Sequence, residues 1–467
     1  MIWNCLLALS VLSSLPFSSA VPADLVPRQT TDTTVEPTRS HPTSQAHTSF
    51  TGTPTTIGVL TASSVGSGIS GGGPAAGATN YPSDGKLHNA QPAEYVPAGG
   101  VGTNGSEPEY NTKSDFDYES LALALYQEWI ELDLFQDGLS RFSDSDFSAA
   151  GLTSDDRDLI AFMAQQEVGH ATMLSNILGA EAPQQCSYVY PYTNVREFVD
   201  FCQKLTRFGE SGVYGFIAHL DSREAATLLT QSITTEARQQ MIFRQFEGLF
   251  PMPEWFEVGV PQSWAWTLLA PFISSCPANQ TRLVWQNFPA LSILNQPNPF
   301  TGSAGTSSNV SINGTSGRNQ TTGPGVNSLR IPTNAQGVSN SSCGAVASSS
   351  QFSSLSFPGR RVALSWENPG KPTGPNNSYI TSTQASSPKY VVWVSQLNIT
   401  YTPLRVVGNN GTSGYTSQPD LQTYQGDPAI NGTMFIAITD DDPFLTPFNL
   451  SLINPHIVAG PALYQAG

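Results

Sequence analysis

The chain has 467 residues with 40 glycines and 35 prolines, and only 12% of its residues are charged. A chain of this length can bury a sizeable core, but this composition does not support one along the whole length. The formal net charge of −16 and the lack of a basic patch argue against nucleic acid as a partner, because phosphate binding requires clustered lysine and arginine.

Residues 1–20, MIWNCLLALSVLSSLPFSSA, have the pattern of a signal peptide. An apolar stretch precedes small residues, with Ser18 and Ala20 at the last positions before a cleavage site. The stretch is too short to span a bilayer, and no later run of about 18 apolar residues follows. The sequence therefore predicts a secreted, extracellular protein without a transmembrane anchor, with association to a cell wall or extracellular matrix left open.

Residues 21–113 are rich in serine, threonine, glycine and proline, as in TSFTGTPTTIGVLTASS and GSGISGGGPAAG. Such a segment cannot bury enough apolar surface to order itself, so we expect a disordered leader. Segments of this composition in exported proteins are often O-glycosylated.

Residues 114–276 are predicted to form a helical bundle. Four segments have helical periodicity and begin at capping residues. They run from Asp115 to Gly138, from Thr153 to Gly179, from Asn194 to Leu220, and from Asp221 to the residue before Pro251. The last two segments adjoin directly and must be antiparallel neighbours, whereas the longer link between the second and third suits the crossover of a ferritin-like four-helix bundle. The apolar segment from Trp264 to Ser274 is expected to pack against the bundle.

The remainder of the chain divides into a linker and a second module. Residues 300–350 are predicted to be a flexible glycosylated linker. Residues 351–467 contain short β-type runs, Arg361–Trp366, Tyr390–Leu397 and Thr433–Ile438, separated by turn residues. The predicted fold is mainly α, a ferritin-like four-helix bundle with a smaller C-terminal β-rich module and long disordered segments.

The distribution of Asn-x-Ser/Thr sequons separates the core from the rest. They begin at Asn104, Asn279, Asn309, Asn313, Asn319, Asn340, Asn376, Asn398, Asn410, Asn431 and Asn449. Because a glycan cannot be buried, the sequon-free stretch between the first two is the expected compact core. N-linked glycans are predicted on the other segments.

Cysteine usage is consistent with an oxidising compartment. Cys186, Cys202, Cys276 and Cys343 remain after removal of the signal peptide, which permits three full pairings. A bridge between Cys186 and Cys276 would join the loop between two helices to the segment after the bundle. The alternative is that one or two of these cysteines are free buried thiols.

Ionisable and amide residues interrupt the apolar stripe of every predicted helix. They are Glu128 on the first helix, Glu167 and His170 on the second, Glu210 on the third, and Glu236 and Gln239 on the fourth. Four buried carboxylates without lysine or arginine on the same stripes would repel one another, and a pair of divalent metal ions would relieve that repulsion. Oxygen ligands with one histidine suit iron or manganese.

Interpretations without metal remain open. Glu128 and Glu131 could face solvent, and Glu131 is the better candidate for this. His170 could be a hydrogen-bonded core histidine, and the glutamates could be protonated. The aromatic residues Trp255, Phe256, Trp264 and Trp266 are expected to pack in the core, with sugar binding as the alternative.

Four of these segments resemble the ferritin-like domain of a known family. They are LALALYQEWIELDLFQDGL, AQQEVGHATMLSNILG, RFGESGVYGFIAHL and TTEARQQM. They resemble fungal secreted stress-response and sexual-development proteins of the LsdA type, and are similar to plant desiccation-related proteins. Ferritin-like di-iron sites use one glutamate from each of two helices and a Glu-x-x-His motif from each of the others.

The resemblance implies a set of ligands with one departure. Glu128 and Glu210 match the single glutamates, Glu167 with His170 matches one Glu-x-x-His motif, and Glu236 matches the second. Gln239 stands where the second histidine would be, so the site is expected to hold one tightly bound metal ion, two unequal ones, or none.

Three functions follow as hypotheses. The resemblance implies a secreted glycoprotein of stress response or sexual development whose bundle binds iron or manganese. A metal-dependent, di-iron-type oxidoreductase or ferroxidase is the first alternative. A cell-wall glycan-binding protein is the second. No catalytic residue is assigned, and whether the chain is an enzyme is left open.

Overall fold

The computed structural model describes Asp84, His88 and residues 111–247, 249–280, 282–297, 356–408, 410–424, 427 and 432–466. The predicted signal peptide, nearly all of the predicted leader, the predicted linker and Cys343 lie outside the described residues. The chain divides into two compact units, Met1–Tyr95 and Val96–Gly467. The first contains a hydrogen bond between His88 Nε2 and Asp84 Oδ1 (2.9 Å), and the helices and strands of the described residues belong to the second.

Six α-helices lie within the described part of the chain. They are α1 (Asp115–Arg141), α2 (Asp144–Ala150), α3 (Ser154–Leu178), α4 (Val195–Phe216), α5 (Arg223–Phe246) and α6 (Gln262–Leu269). The long helices α1, α3, α4 and α5 form the bundle, which confirms the predicted ferritin-like fold. The short helix α2 was not predicted. None of these helices is a candidate membrane span.

Each bundle helix begins at a side-chain cap. The caps are Ser114, Thr153, Asn194 and Ser222. Thr153 and Asp156 form a reciprocal capping box, and such caps typically contribute about 1 kcal/mol each. Asp117 of α1 also accepts hydrogen bonds from the backbone N–H groups of Asp221 and Ser222 (2.8 and 3.0 Å). The helices α1 and α5 therefore start at the same end of the bundle.

The crossover between α3 and α4 is fixed covalently. It contains β1 (Ser187–Tyr188), which pairs with β2 (Ile273–Ser275) after α6. A disulfide joins Cys186 to Cys276 beside this pair of strands, with the two Cα atoms 4.3 Å apart. Of the pairings that the sequence permits, this bridge is present, and Cys202 is a buried free thiol.

The C-terminal strands form a sandwich of two four-stranded antiparallel sheets. The strands of the inner sheet are β7 (Tyr390–Ser395), β8 (Asn398–Pro403), β11 (Thr433–Thr439) and β12 (Ile457–Gln465). The strands of the outer sheet are β3 (Leu291–Ile293), β4 (Arg361–Trp366), β9 (Arg405–Val407) and β10 (Ser413–Ser417). The inner sheet has the order β12-β11-β7-β8 and the outer sheet has the order β3-β4-β10-β9. The short strands β5 (Pro372–Thr373) and β6 (Tyr379–Ile380) pair separately.

The strand β3 was not predicted. It pairs with β4 although residues 294–360 separate the two strands. The sandwich therefore draws residues from both sides of the predicted linker.

The inner sheet is covered on both faces because side chains alternate along each strand. Its Val392, Phe435 and Leu463 belong to the same apolar core as the bundle helices. Its Trp393 and Ile436 belong to a second core shared with the outer sheet. All seven positions of β11 are buried. Within the second unit, the layers are thus the bundle, the inner sheet and the outer sheet.

Removal of the disulfide should destabilise the protein strongly. The bridge joins cysteines separated by 90 residues, so its loss should lower the free energy of unfolding by about 2–5 kcal/mol. A Cys186→Ser/Cys276→Ser variant should show this in urea denaturation and should no longer respond to dithiothreitol. A Cys202→Ala variant is the control and should keep its response to the reductant. An unchanged denaturation midpoint in the double variant would contradict the prediction.

Candidate metal centre

Three predicted ligands meet in the middle of the bundle. Glu128 lies at the centre of α1, and Glu167 and His170 lie one turn apart on α3, so both face the same neighbour. His170 Nδ1 lies 3.1 Å from Glu128 Oε2 and 3.1 Å from Glu167 Oε2. The three ligand atoms lie within 4.8 Å of one another. This is the spacing of groups that could share one cation.

A third helix contributes Glu236. Its Oε1 atom lies 3.8 Å from His170 Nδ1. The side chain is 1% exposed, and neither of its oxygens has a hydrogen-bond partner among the described residues. A buried carboxylate in this state is costly unless it is protonated or binds a cation.

Glu131 is a fifth member of this cluster that the sequence analysis missed. The preference for a solvent-facing Glu131 was wrong, because this residue is fully buried. Gln127 Nε2 donates to its Oε1 atom (2.7 Å). The available signal was the sequence of α1, LALALYQEWIELDL, which is apolar on several faces and therefore indicates a helix covered all round.

The second nitrogen of His170 is held in place by α5. His170 Nε2 lies 3.0 Å from Thr235 Oγ1, and the Thr235 hydroxyl donates to the Ser232 carbonyl (2.7 Å). Thr235 Oγ1 is therefore the acceptor for an Nε2–H group. This leaves Nδ1 to face the carboxylates, the arrangement in which an outer hydrogen bond orients a metal-binding histidine.

Gln239 contacts the cluster through its amide nitrogen. Its Nε2 atom donates to Glu167 Oε1 (2.5 Å) and to Gln166 Oε1 (3.2 Å). Two acceptors therefore fix the orientation of the amide. In this arrangement Gln239 positions Glu167, and its nitrogen rather than its oxygen faces the ligand.

Glu210 lies in a different electrostatic environment from the other predicted ligands. Its Oε2 atom lies 3.5 Å from Arg207 Nη1, and Arg207 is 1% exposed. Arg207 also pairs with Glu254 (3.4 Å) and with Glu257. The assumption that the predicted core stripes carry no arginine was therefore wrong. The structure brings Glu128, Glu167, His170 and Glu236 together, and it places Glu210 against a guanidinium.

The cluster retains protons when no cation is bound. Burial raises the pKa of Glu128 to about 8, although His170 acts in the opposite direction. Burial and then repulsion from neighbouring carboxylates raise the pKa values of Glu131 and Glu236 well above the usual range. Burial alone would lower the pKa of His170, but Glu128 and Glu167 raise it to about 12. Metal binding would release these protons.

The donor set fits a divalent cation. Carboxylate oxygens and one imidazole nitrogen converge, and Glu236 and Glu131 add buried oxygens that lack partners within the described ranges. Carboxylate oxygens together with one imidazole suit iron or manganese. They do not form a structural zinc site of the thiolate type. Glu128, Glu167 and His170 could therefore hold a metal ion.

Comparison with known proteins identifies the domain that contains this site. Residues 115–249 match the family model described as a ferritin-like domain. Over 402 residues, the chain is 49% identical to Protein rds1 of Schizosaccharomyces pombe. The aligned region covers 85% of this chain and 93% of that protein. The chain belongs to the ferritin-like rds1 family. Because the match extends over 402 residues, it continues beyond the ferritin-like domain into the residues that form the sandwich. The more specific likeness to LsdA-type and plant desiccation-related proteins stays a prediction.

Neutralising Glu131 should stabilise the metal-free protein and weaken its binding of metal. Glu131→Gln keeps the shape and the acceptor for Gln127 but removes a buried acid that lacks a second partner. It should raise the free energy of unfolding of the metal-free protein by about 1–3 kcal/mol, because the neutral amide does not repel Glu167 and Glu128 and its N–H groups can donate to a carboxylate. Calorimetry should also show weaker Mn(II) binding. Exposed Glu181→Gln is the control, and a destabilised Glu131→Gln protein would refute the prediction.

The metal-free protein should lose stability as the pH rises from 4.5 to about 8. Over this interval the folded state keeps a proton on Glu128 that the unfolded state releases. The free energy of unfolding then falls by up to about 1.4 kcal/mol per pH unit for this group. Urea denaturation in a chelating buffer should show a steeper fall for the wild type than for Glu128→Gln. Equal slopes in the two proteins would contradict this assignment.

Proposed function

We propose that this chain is an exported, N-glycosylated protein of stress response or development whose ferritin-like bundle binds iron or manganese. The observation that carries the metal proposal is the convergence of Glu128, Glu167 and His170 within 4.8 Å. The role in stress or development rests on the resemblance of the bundle sequence to the fungal secreted family.

The unsatisfied carboxylates support a cation in this place. Glu236 and Glu131 lie beside the three ligands and repel Glu128 and Glu167. A divalent ion would offset that repulsion and would compete with the protons that the cluster otherwise retains. Thr235 and Gln239 would hold His170 and Glu167 in position, so the site would need little rearrangement on binding.

Several features support export. The first 20 residues have a signal-peptide pattern, and the Cys186–Cys276 disulfide suits an oxidising compartment. Five sequon asparagines fall within the described ranges, and none of these five is buried: Asn279, Asn376, Asn398, Asn410 and Asn449. Attachment to a cell wall remains a prediction.

A metal-dependent oxidoreductase is the second candidate. The extra oxygens of Glu236 and Glu131 favour it, because they could serve a second ion next to the first. Iron bound here would supply a redox centre and a Lewis acid for O₂ or peroxide. The amide of Gln239 and the pairing of Glu210 with Arg207 make such a second position poorer in ligands than a two-histidine site.

Elemental analysis of the protein secreted from a eukaryotic host should detect iron or manganese at about one equivalent per chain or more. The variants His170→Ala and Glu167→Gln should lose this metal while their circular dichroism spectra remain native. His219→Ala is the matched control, since His219 is exposed, and it should retain the metal.

Absence of metal as purified, together with no uptake of Fe(II) or Mn(II) at neutral pH, would refute the metal proposal. Oxygen consumption after addition of Fe(II) distinguishes the two candidates. The oxidoreductase requires consumption that His170→Ala abolishes, whereas a binding protein takes up the ion without it.

A further inference from the structure

An aromatic patch lies on the surface where the bundle and the sandwich meet. Its aromatic residues are Trp255, Phe256 and Tyr424, which are 52%, 37% and 58% exposed. The aliphatic Leu397, which is 40% exposed, is included with them. The rings of Phe256 and Tyr424 contact edge to face, with centroids 6.1 Å apart. Trp264 and Trp266, the other members of the predicted aromatic cluster, are buried in the core. The packing prediction therefore holds for those two tryptophans, and the patch needs a different explanation.

Buried polar contacts support the backbone beneath the patch. Gln396 Oε1 accepts hydrogen bonds from the backbone N–H groups of both Trp255 and Phe256 (2.8 Å each). Gln396 Nε2 donates to Asp427 Oδ1 (2.7 Å), and Asp427 Oδ2 accepts from the Thr423 N–H (2.8 Å). Gln396 has a φ of 50°, a conformation that costs a residue with a side chain about 1–2 kcal/mol. The strain is offset by contacts that serve to fix the aromatic residues.

A sequon asparagine lies next to this support. Asn398 follows the two-residue turn Gln396–Leu397 and begins β8. The hydroxyl of Thr400, the third residue of the sequon, donates to Asn398 Oδ1 (3.2 Å). Asn398 Nδ2 faces the carbonyl of Gln422 at 3.5 Å. The amide nitrogen therefore points toward the segment that contains Tyr424.

The distance suits a glycan attached to that nitrogen. Gln422 and Tyr424 are two residues apart, which is at most ~7 Å along the chain. An N-linked glycan replaces one of the two amide hydrogens, so the other can still donate to the Gln422 carbonyl. The first sugars of the glycan would then start beside the aromatic rings.

We propose that Asn398 is N-glycosylated and that the first N-acetylglucosamine residues of its glycan pack over the aromatic patch. The apolar face of a pyranose ring is complementary to an aromatic ring with a polar edge, as tyrosine and tryptophan provide. A covalently attached glycan has a high effective concentration at the patch, which favours it over a free polysaccharide. The inference rests on the proposed export of the chain.

Glycopeptide mass spectrometry and iodide quenching of tryptophan fluorescence test the proposal on the secreted protein. Asn398 should be occupied. Asn398→Gln should raise the quenching constant about twofold, because Trp255 is the most exposed tryptophan in the described part of the chain and would lose its cover. Asn410→Gln is the matched control and should leave quenching unchanged. This sequon is exposed, and it precedes β10, whereas Tyr424 of the patch follows that strand.

Enzymatic treatment of the folded wild type avoids any effect of the substitution on folding. An endoglycosidase that leaves one N-acetylglucosamine should raise quenching less than an amidase that removes the whole glycan. Replacement of Trp255 by phenylalanine should abolish the increase.

Four results would overturn the proposal. An unoccupied Asn398 with occupied Asn410 would overturn this inference alone, whereas unoccupied sequons throughout would overturn the proposed export as well. Quenching that stays constant after complete removal of the glycan would show that the patch is not covered. Retention of the native glycoprotein on insoluble chitin through Trp255 would make the patch a site for external glycans.

Discussion

The removal of carboxyl groups from water is the constraint on which the rest of this structure depends. Glu128, Glu131 and Glu236 are buried at the centre of the bundle, where an isolated charge is costly. The burial of Glu128 and Glu131 requires the middle of α1 to be covered on most sides, and α3, α4 and α6 all contact this helix. The packing of α6 against α1 therefore helps to keep these acids away from solvent.

The bundle compensates buried acids in two ways. Near His170 the carboxylates have one imidazole, and proton retention or a bound cation must supply the remaining compensation. Near Arg207 a guanidinium fills that place and links Glu210 to Glu254, whose Oε1 atom accepts a hydrogen bond from the Thr433 N–H at the start of β11 (2.5 Å). The acids near Arg207 join the bundle to the inner sheet and so contribute to assembly of the layers. The acids near His170 leave carboxylate oxygens available to bind a cation.

Periodicity and capping predicted the four long helices and the inward position of Glu128, Glu167, His170 and Glu236, because both signals are local. They could not predict the partner of Glu210, since Glu254 and Glu257 reach Arg207 only through tertiary packing. The burial of Glu131 was missed because an outward position was inferred for a residue in the middle of α1, where only Trp129 and Asp133 are partly exposed between Ser120 and Phe135. The three-residue strand β3 is too short for a pattern of alternation, and nothing local distinguishes exposed Trp255 from buried Trp264.

The shared core of the bundle and the inner sheet has a consequence for how this family is divided. The ferritin-like domain that sequence comparison recognises, residues 115–249, ends before the strands that cover one of its sides. Excised at that boundary, the helices would present to water the surface that Val392, Phe435 and Leu463 cover in the whole chain. The segment that the family model matches and the segment that encloses the whole apolar core therefore differ here. Because the two layers share that core, we expect the bundle and the inner sheet to unfold together.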